Sequence, residues 1–131
     1  MIALDTNILV HLFTRDDPEQ FALAREVMES SPLWVPKTVL LEMEWVLRYS
    51  YGFDPEAILG AFQLLIGYPQ LEVEDARNVL RALRWYSSGM DFADALHLAS
   101  SPAEGKFASL DRRLMQAAER VSAHPPVQLL G

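Results

Sequence analysis

Met1-Ile-Ala-Leu-Asp5-Thr-Asn7 opens the chain and decides how the rest is read. Ile2-Ala-Leu4 is apolar and followed at once by Asp-Thr-Asn. So short an apolar run, ended by residues that cap helices, predicts a buried strand turning directly into a helix. Asp5 then stands at the carboxyl end of the first strand.

The same pattern repeats outward from this start. Asp17-Pro18 supplies an N-cap and a first-turn proline for a helix over 18–29, with Phe21, Ala24, Arg25 and Met28 at helical spacing. Residues 33–35 read as a strand, and 36–51 as a helix with Leu40, Met43, Val46 and Leu47 on one side, ended by Gly52. Asp54-Pro55 opens a helix to about residue 66. A strand at 71–73, a helix over 74–87 and a nearly all-apolar, hence buried, helix over 91–100 follow. The chain closes with a strand at 107–109, a helix over 111–120 and a strand at 127–129. Short apolar strands alternating with helices predict βαβ crossovers. The fold expected is α/β, a three-layer α/β/α arrangement around a short central parallel sheet of about five strands. Ligands in such sheets bind at the carboxyl ends of the strands.

Composition agrees with a single folded domain over residues 1–131. The chain is half apolar and carries 18 acids against 11 bases, a formal charge of −7. That balance excludes a disordered chain. The absence of cysteine excludes disulfides and thiolate chemistry. No apolar run approaches the roughly 18 residues of a membrane span. The N-terminus has no basic stretch ahead of its apolar residues and reads as a strand rather than a secretion signal. A thiol-free acidic chain fits the cytoplasm. The acids are concentrated early: residues 1–60 hold ten against four bases.

Four acids call for an explanation. Asp5 and Asp111 each follow a strand and open a helix. Glu42 lies in the second turn of the helix after strand 33–35. Asp94 sits one turn into the apolar helix Phe92-Ala-Asp94-Ala-Leu-His-Leu-Ala99. A carboxylate among apolar residues is costly unless paired or metal-bound. Read singly, Asp5 and Asp111 are helix caps, Asp94 a first-turn acid favoured by the helix dipole, and Glu42 part of a solvated face. Read together, four acids at one edge of a sheet repel unless a cation joins them. Oxygen donors of this kind suit Mg²⁺ or Mn²⁺.

The stretches around these acids resemble the motifs of PIN-domain ribonucleases, and most closely the toxin subunits of VapBC-type toxin–antitoxin pairs. Met1–Asn7 is similar to the family's opening, Val39-Leu-Leu-Glu42-Met-Glu-Trp-Val-Leu47 to its second motif, Asp91-Phe-Ala-Asp94-Ala-Leu-His-Leu-Ala99 to its third, and Ala108-Ser109-Leu-Asp111 to its fourth. The resemblance covers essentially the whole chain. It implies a PIN-like fold and a catalytic set of Asp5, Glu42, Asp94 and Asp111. Asp5, Asp94 and Asp111 would hold Mg²⁺ (or Mn²⁺), with Asn7 and Ser109 supporting them. It implies RNA as substrate, a cognate antitoxin and a homodimer as partners, and no membrane. Ser109-Leu110 stands where the family often has Thr-Phe, which keeps the hydroxyl. Glu44 and Asp91 are extra acids. Glu44 falls on another helical face than Glu42, and Asp91 is the candidate N-cap of its helix.

Other features have two readings each. Arg77, Arg81 and Arg84 share a helix face, either as a phosphate-contacting stripe or as a solvated surface. Arg112, with Arg113 beside it, directly follows Asp111 and is the candidate to contact substrate phosphate. His97 lies three residues after Asp94, within reach of an Asp–His contact or simply beside its helix. His11 and His124 stand apart from any motif. Trp34, Trp45, Tyr49, Tyr51 and Phe53 form either core or a partner surface.

The function expected is a metal-dependent endoribonuclease, the toxin of a toxin–antitoxin pair. One rival is a small-molecule phosphohydrolase with an aspartyl nucleophile after strand one. Such enzymes often carry Asp-x-Asp there, and Asp5-Thr6-Asn7 lacks the second Asp. The other rival is a non-catalytic PIN-like binding module, disfavoured because all four acids are retained.

Overall fold

The computed structural model describes all residues, 1–131. The chain divides into two compact units, Met1–Glu74 and Asp75–Gly131. In the first, β1 (Ile2–Ala3), β2 (Leu33–Val35) and β3 (Leu71–Val73) form a parallel sheet in the order β1-β2-β3. Ile2 stands opposite Leu33, and Leu33 opposite Leu71. Helices α1 (Thr6–Thr14) and α2 (Pro18–Met28) make the first crossover, and α3 (Lys37–Tyr49) and α4 (Pro55–Ile66) the second.

Local chemistry sets these boundaries. Asp17 accepts from the Glu19 and Gln20 amides ahead of α2, and Asp54 accepts from the Ala57 amide ahead of α4. Both helices carry proline in the first turn, where no backbone donor is missed. Helix α1 ends where Arg15 takes a left-handed conformation, φ 52°. Its apolar face buries Leu9 and Val10, and α3 buries Leu40, Met43 and Leu47. Phe62 and Ile58 of α4, with Leu33 and Val35 of β2, are also fully buried.

The second unit contains α5 (Ala76–Ser87), α6 (Phe92–Ala99), β4 (Phe107–Ser109), α7 (Arg112–Arg120) and β5 (Val127–Leu129). Strands β4 and β5 pair in parallel, Phe107 opposite Val127. Helix α5 packs on α6, where the Tyr86 and Phe92 rings meet edge to face at 5.4 Å. Five of the eight residues of α6 are buried, as its apolar sequence predicts.

The α/β class and the five strands stand where the sequence pattern puts them. The single five-stranded sheet does not. Hydrogen bonding joins the strands as three and two, in separate sheets. The physical reason lies in strand length. Asp5 already caps α1, so β1 has only two residues, and Leu4 contributes just its amide to the Trp34 carbonyl at 2.9 Å. So short a strand offers few groups for a ladder on each edge.

Candidate active site

In the first unit the predicted residues gather in a cleft of about 420 Å³. Asp5, Thr6, Asn7, His11, Glu42 and Tyr51 line it, with Val10 and Val46. Asp5 is placed by its own capping role, its carboxylate accepting from the Thr6 amide at 2.7 Å. Thr6 is buried, and its hydroxyl donates to the Glu42 carboxylate. That bond ties the first turn of α1 to α3 and fixes an exposed glutamate beside an exposed aspartate.

Glu44 is a different kind of acid. It is only 2 % exposed, and Arg48 one turn on donates to both its oxygens, at 2.8 and 3.2 Å. This hydrogen bonding holds the Arg48 guanidinium charged beyond the ordinary arginine range. Glu42 and Glu44 thus face apart, as a two-residue step on a helix requires. Arg48 also lies over the Tyr49 ring, 4.4 Å from its centre.

The second unit holds the other acids. Asp91 caps α6, accepting from the Asp94 amide at 3.1 Å. Asp111 caps α7, accepting from the Arg113 and Leu114 amides at 2.9 and 3.2 Å. The Ser109 hydroxyl in turn accepts from the Asp111 amide at 2.9 Å, which fixes the backbone where β4 enters α7. Asp94 is half-buried. Burial pushes its carboxyl above the ordinary aspartate range, and the charges of Asp91 and Asp111 push the same way, while His97 opposes them. His97 itself is exposed. Arg112 is exposed in the first turn of α7.

No group of three His, Asp or Glu side chains that could hold a metal ion stands together within either unit. The structure shows Asp5 with Glu42 in one unit, and Asp94 under the influence of Asp91 and Asp111 in the other.

Asp5 thus caps α1, Glu42 lies on α3, Asp94 lies on α6 and Asp111 caps α7. A profile of the PIN domain family matches residues 2–120. This chain belongs to the PIN domain family. No curated protein matches it. PIN domains are generally nuclease domains, and their nucleases generally use Mg²⁺ or Mn²⁺. In this PIN domain the donor chemistry suits such ions. The candidate ligands are all carboxylates, and Asp94 lies beside two further acids.

Other features resolve within the units. Arg81 is tied to the Asn78 side chain at 2.9 Å and the His124 carbonyl at 3.1 Å, and lies over the Trp85 ring. The arginine stripe on α5 thereby loses its middle member to a structural role. Trp34 and Phe53 are half-buried, whereas Trp45 and Tyr49 are 53 % and 64 % exposed, with ring centres 5.1 Å apart. The residue that sequence reasoning passed over is His11. Its helical spacing from Asn7, one turn back, was the available signal.

Proposed function

We propose that this chain is a Mg²⁺- or Mn²⁺-dependent endoribonuclease and the toxin of a toxin–antitoxin pair. It acts in the cytoplasm as one nuclease domain over residues 1–131. The observation that carries this reading is a PIN domain match over residues 2–120 that takes in Asp5, Glu42, Asp94 and Asp111.

In this reading Asp5, Asp94 and Asp111 are the metal ligands and Glu42 completes the acidic set. Mg²⁺ takes oxygen donors and completes its shell with water and substrate phosphate oxygens. When bound, the ion lowers the pKa of a water and polarises a phosphodiester oxygen.

The chain's own residues supply placement. Thr6 holds Glu42 by its hydroxyl, Ser109 fixes the turn that carries Asp111, and Arg112 contacts a substrate phosphate. Hydrolysis forms a bond from a water oxygen to phosphorus and breaks one ester bond, leaving a phosphate monoester and a free hydroxyl. The partners are an antitoxin chain and a second copy of this chain. The exposed Trp45–Tyr49 pair supports an interface, since aromatics are enriched in such contacts.

The test is cleavage of a labelled RNA by the purified chain with Mg²⁺, Mn²⁺ or EDTA. Internal cuts that need the metal and vanish in Asp5→Asn support the reading. Absence of cleavage under every metal condition sinks it. Growth arrest on expression, relieved by the product of a neighbouring reading frame, tests the toxin role separately.

A further inference from the structure

The cleft that holds Asp5 and Glu42 also holds two side chains outside the PIN motifs, His11 and Tyr51. Both are anchored by one residue. Asp16 accepts from the Tyr51 hydroxyl at 2.7 Å and meets His11 Nδ1 at 3.2 Å, and the Thr14 hydroxyl adds a third donor at 3.0 Å. Asp16 and Tyr51 are separated by 35 residues, so this is a tertiary arrangement and not a local turn.

The direction of these bonds matters. The Tyr51 bond, with Thr14 and His11 behind it, holds the Asp16 carboxyl below the ordinary aspartate range, so it is ionised near neutral pH and only accepts. His11 must therefore place its proton on Nδ1. In the neutral ring this leaves Nε2 an acceptor. Tyr51 spends its single proton on Asp16, and its oxygen, which the Thr14 hydroxyl also faces as a donor, keeps a second acceptor position. That same bond holds the phenol protonated beyond the ordinary tyrosine range. Asp16 thus consumes the donors of both groups and leaves two acceptors on a cleft that also carries Asp5 and Glu42.

A cleft so furnished wants a donor on its ligand. Phosphate oxygens have none, and neither does deoxyribose next to the backbone. The ribose 2′-hydroxyl does. We propose that His11 Nε2 and the Tyr51 oxygen accept from 2′-hydroxyls of the bound strand, one hydroxyl to each acceptor, with Asp16 as the positioning residue that sets both groups. This makes them specificity-determining residues for ribose over deoxyribose. The inference rests on the nuclease reading above.

The test uses the full chain with Mg²⁺ or Mn²⁺, a short labelled RNA, and the same RNA carrying one 2′-deoxynucleotide stepped through every position. The wild type is expected to lose roughly fivefold in cleavage rate at one position or two adjacent ones, the worth of a neutral hydrogen bond. In the double variant His11→Ala/Tyr51→Phe that penalty disappears, and the RNA and its deoxy-substituted form are cut at equal rates. Asp16→Ala shrinks it as well, which loss of a merely structural contact would not do. A penalty that persists undiminished in the double variant, or no penalty at any position, overturns the inference while leaving the nuclease reading intact. Absence of RNA cleavage by the wild type overturns both.

Discussion

Asp16, Glu42 and Glu44 of the first unit and Asp94 of the second are held in opposite ways. In Met1–Glu74 each carboxylate of interest has donors: Glu44 has Arg48, Glu42 has Thr6, and Asp16 has Tyr51, Thr14 and His11. In Asp75–Gly131, Asp94 is pressed by burial and by two further acids, with only His97 acting the other way. Acids of the first kind contribute to the fold that holds them. An acid of the second kind costs stability, and a cation would relieve that cost. Identical functional groups thus meet donors in one case and burial with like charge in the other.

The largest effect that could break this contrast is on activity. Asp94→Asn should lower metal-dependent RNA cleavage by about a hundredfold or more, since losing even an outer partner of a metal ligand costs about 10–100-fold. Its circular dichroism spectrum should match the wild type, because only a charge is removed. Near-normal cleavage by the folded variant would place Asp94 outside the catalytic set.

On stability the order reverses. Arg48→Ala removes the arginine that donates to both oxygens of the buried Glu44 carboxylate, and breaking such a pair costs about 3 kcal/mol even though Arg48 is partly exposed. Glu42→Gln, on the exposed side of the same helix, should change stability by less than about 1 kcal/mol. Chemical denaturation of the two variants checks this. Equal losses would mean that the two faces of α3 are not functionally divided.

How far this division could be read from sequence depends on the distance over which each signal acts. Strands, helices and caps were legible, because apolar period and capping residues are local. Asp91, Asp111, Asp17 and Asp54 all cap where the sequence puts a helix start. Glu42 and Glu44 could be told apart because helical geometry turns them to different faces. The sheet could not be counted correctly, since pairing depends on how much strand survives once Asp5 has begun α1. Convergence of the four acids was an inference from motif order rather than from any local rule. The His11–Asp16–Tyr51 arrangement was out of reach: its longest link crosses 35 residues, and no periodicity marks it.

A finer comparison uses pH. Asp94 has a folded pKa raised above its unfolded value. Such a group stabilises the fold below the unfolded pKa, near 4, and that contribution is lost as pH rises through the folded value. The metal-free wild type should therefore lose melting temperature with rising pH on the alkaline side of about 4, and Asp94→Asn should lose less. Mg²⁺ should restore the difference by binding the folded chain in preference to the unfolded one. Identical profiles for wild type and variant would show that Asp94 is not under the pressure assigned to it.

The smallest expected effect carries the opposite sign and completes the contrast. Asp16 has a folded pKa lowered by its three donors, the Tyr51 hydroxyl foremost. Its contribution is present above the unfolded pKa and is lost as pH falls through the folded one. Tyr51→Phe removes the main donor, so it should lower the neutral and alkaline part of the thermal profile slightly and flatten its acid limb, leaving the most acid end unchanged. Asp16 lies at the surface, where water screens such bonds, so the shift should be small beside that of Arg48→Ala. Differential scanning fluorimetry across the acid range for wild type, Tyr51→Phe and Asp94→Asn puts both signs in one experiment. If Tyr51→Phe and Asp94→Asn shift the profile in the same direction, the division between acids supplied with donors and an acid set among acids fails.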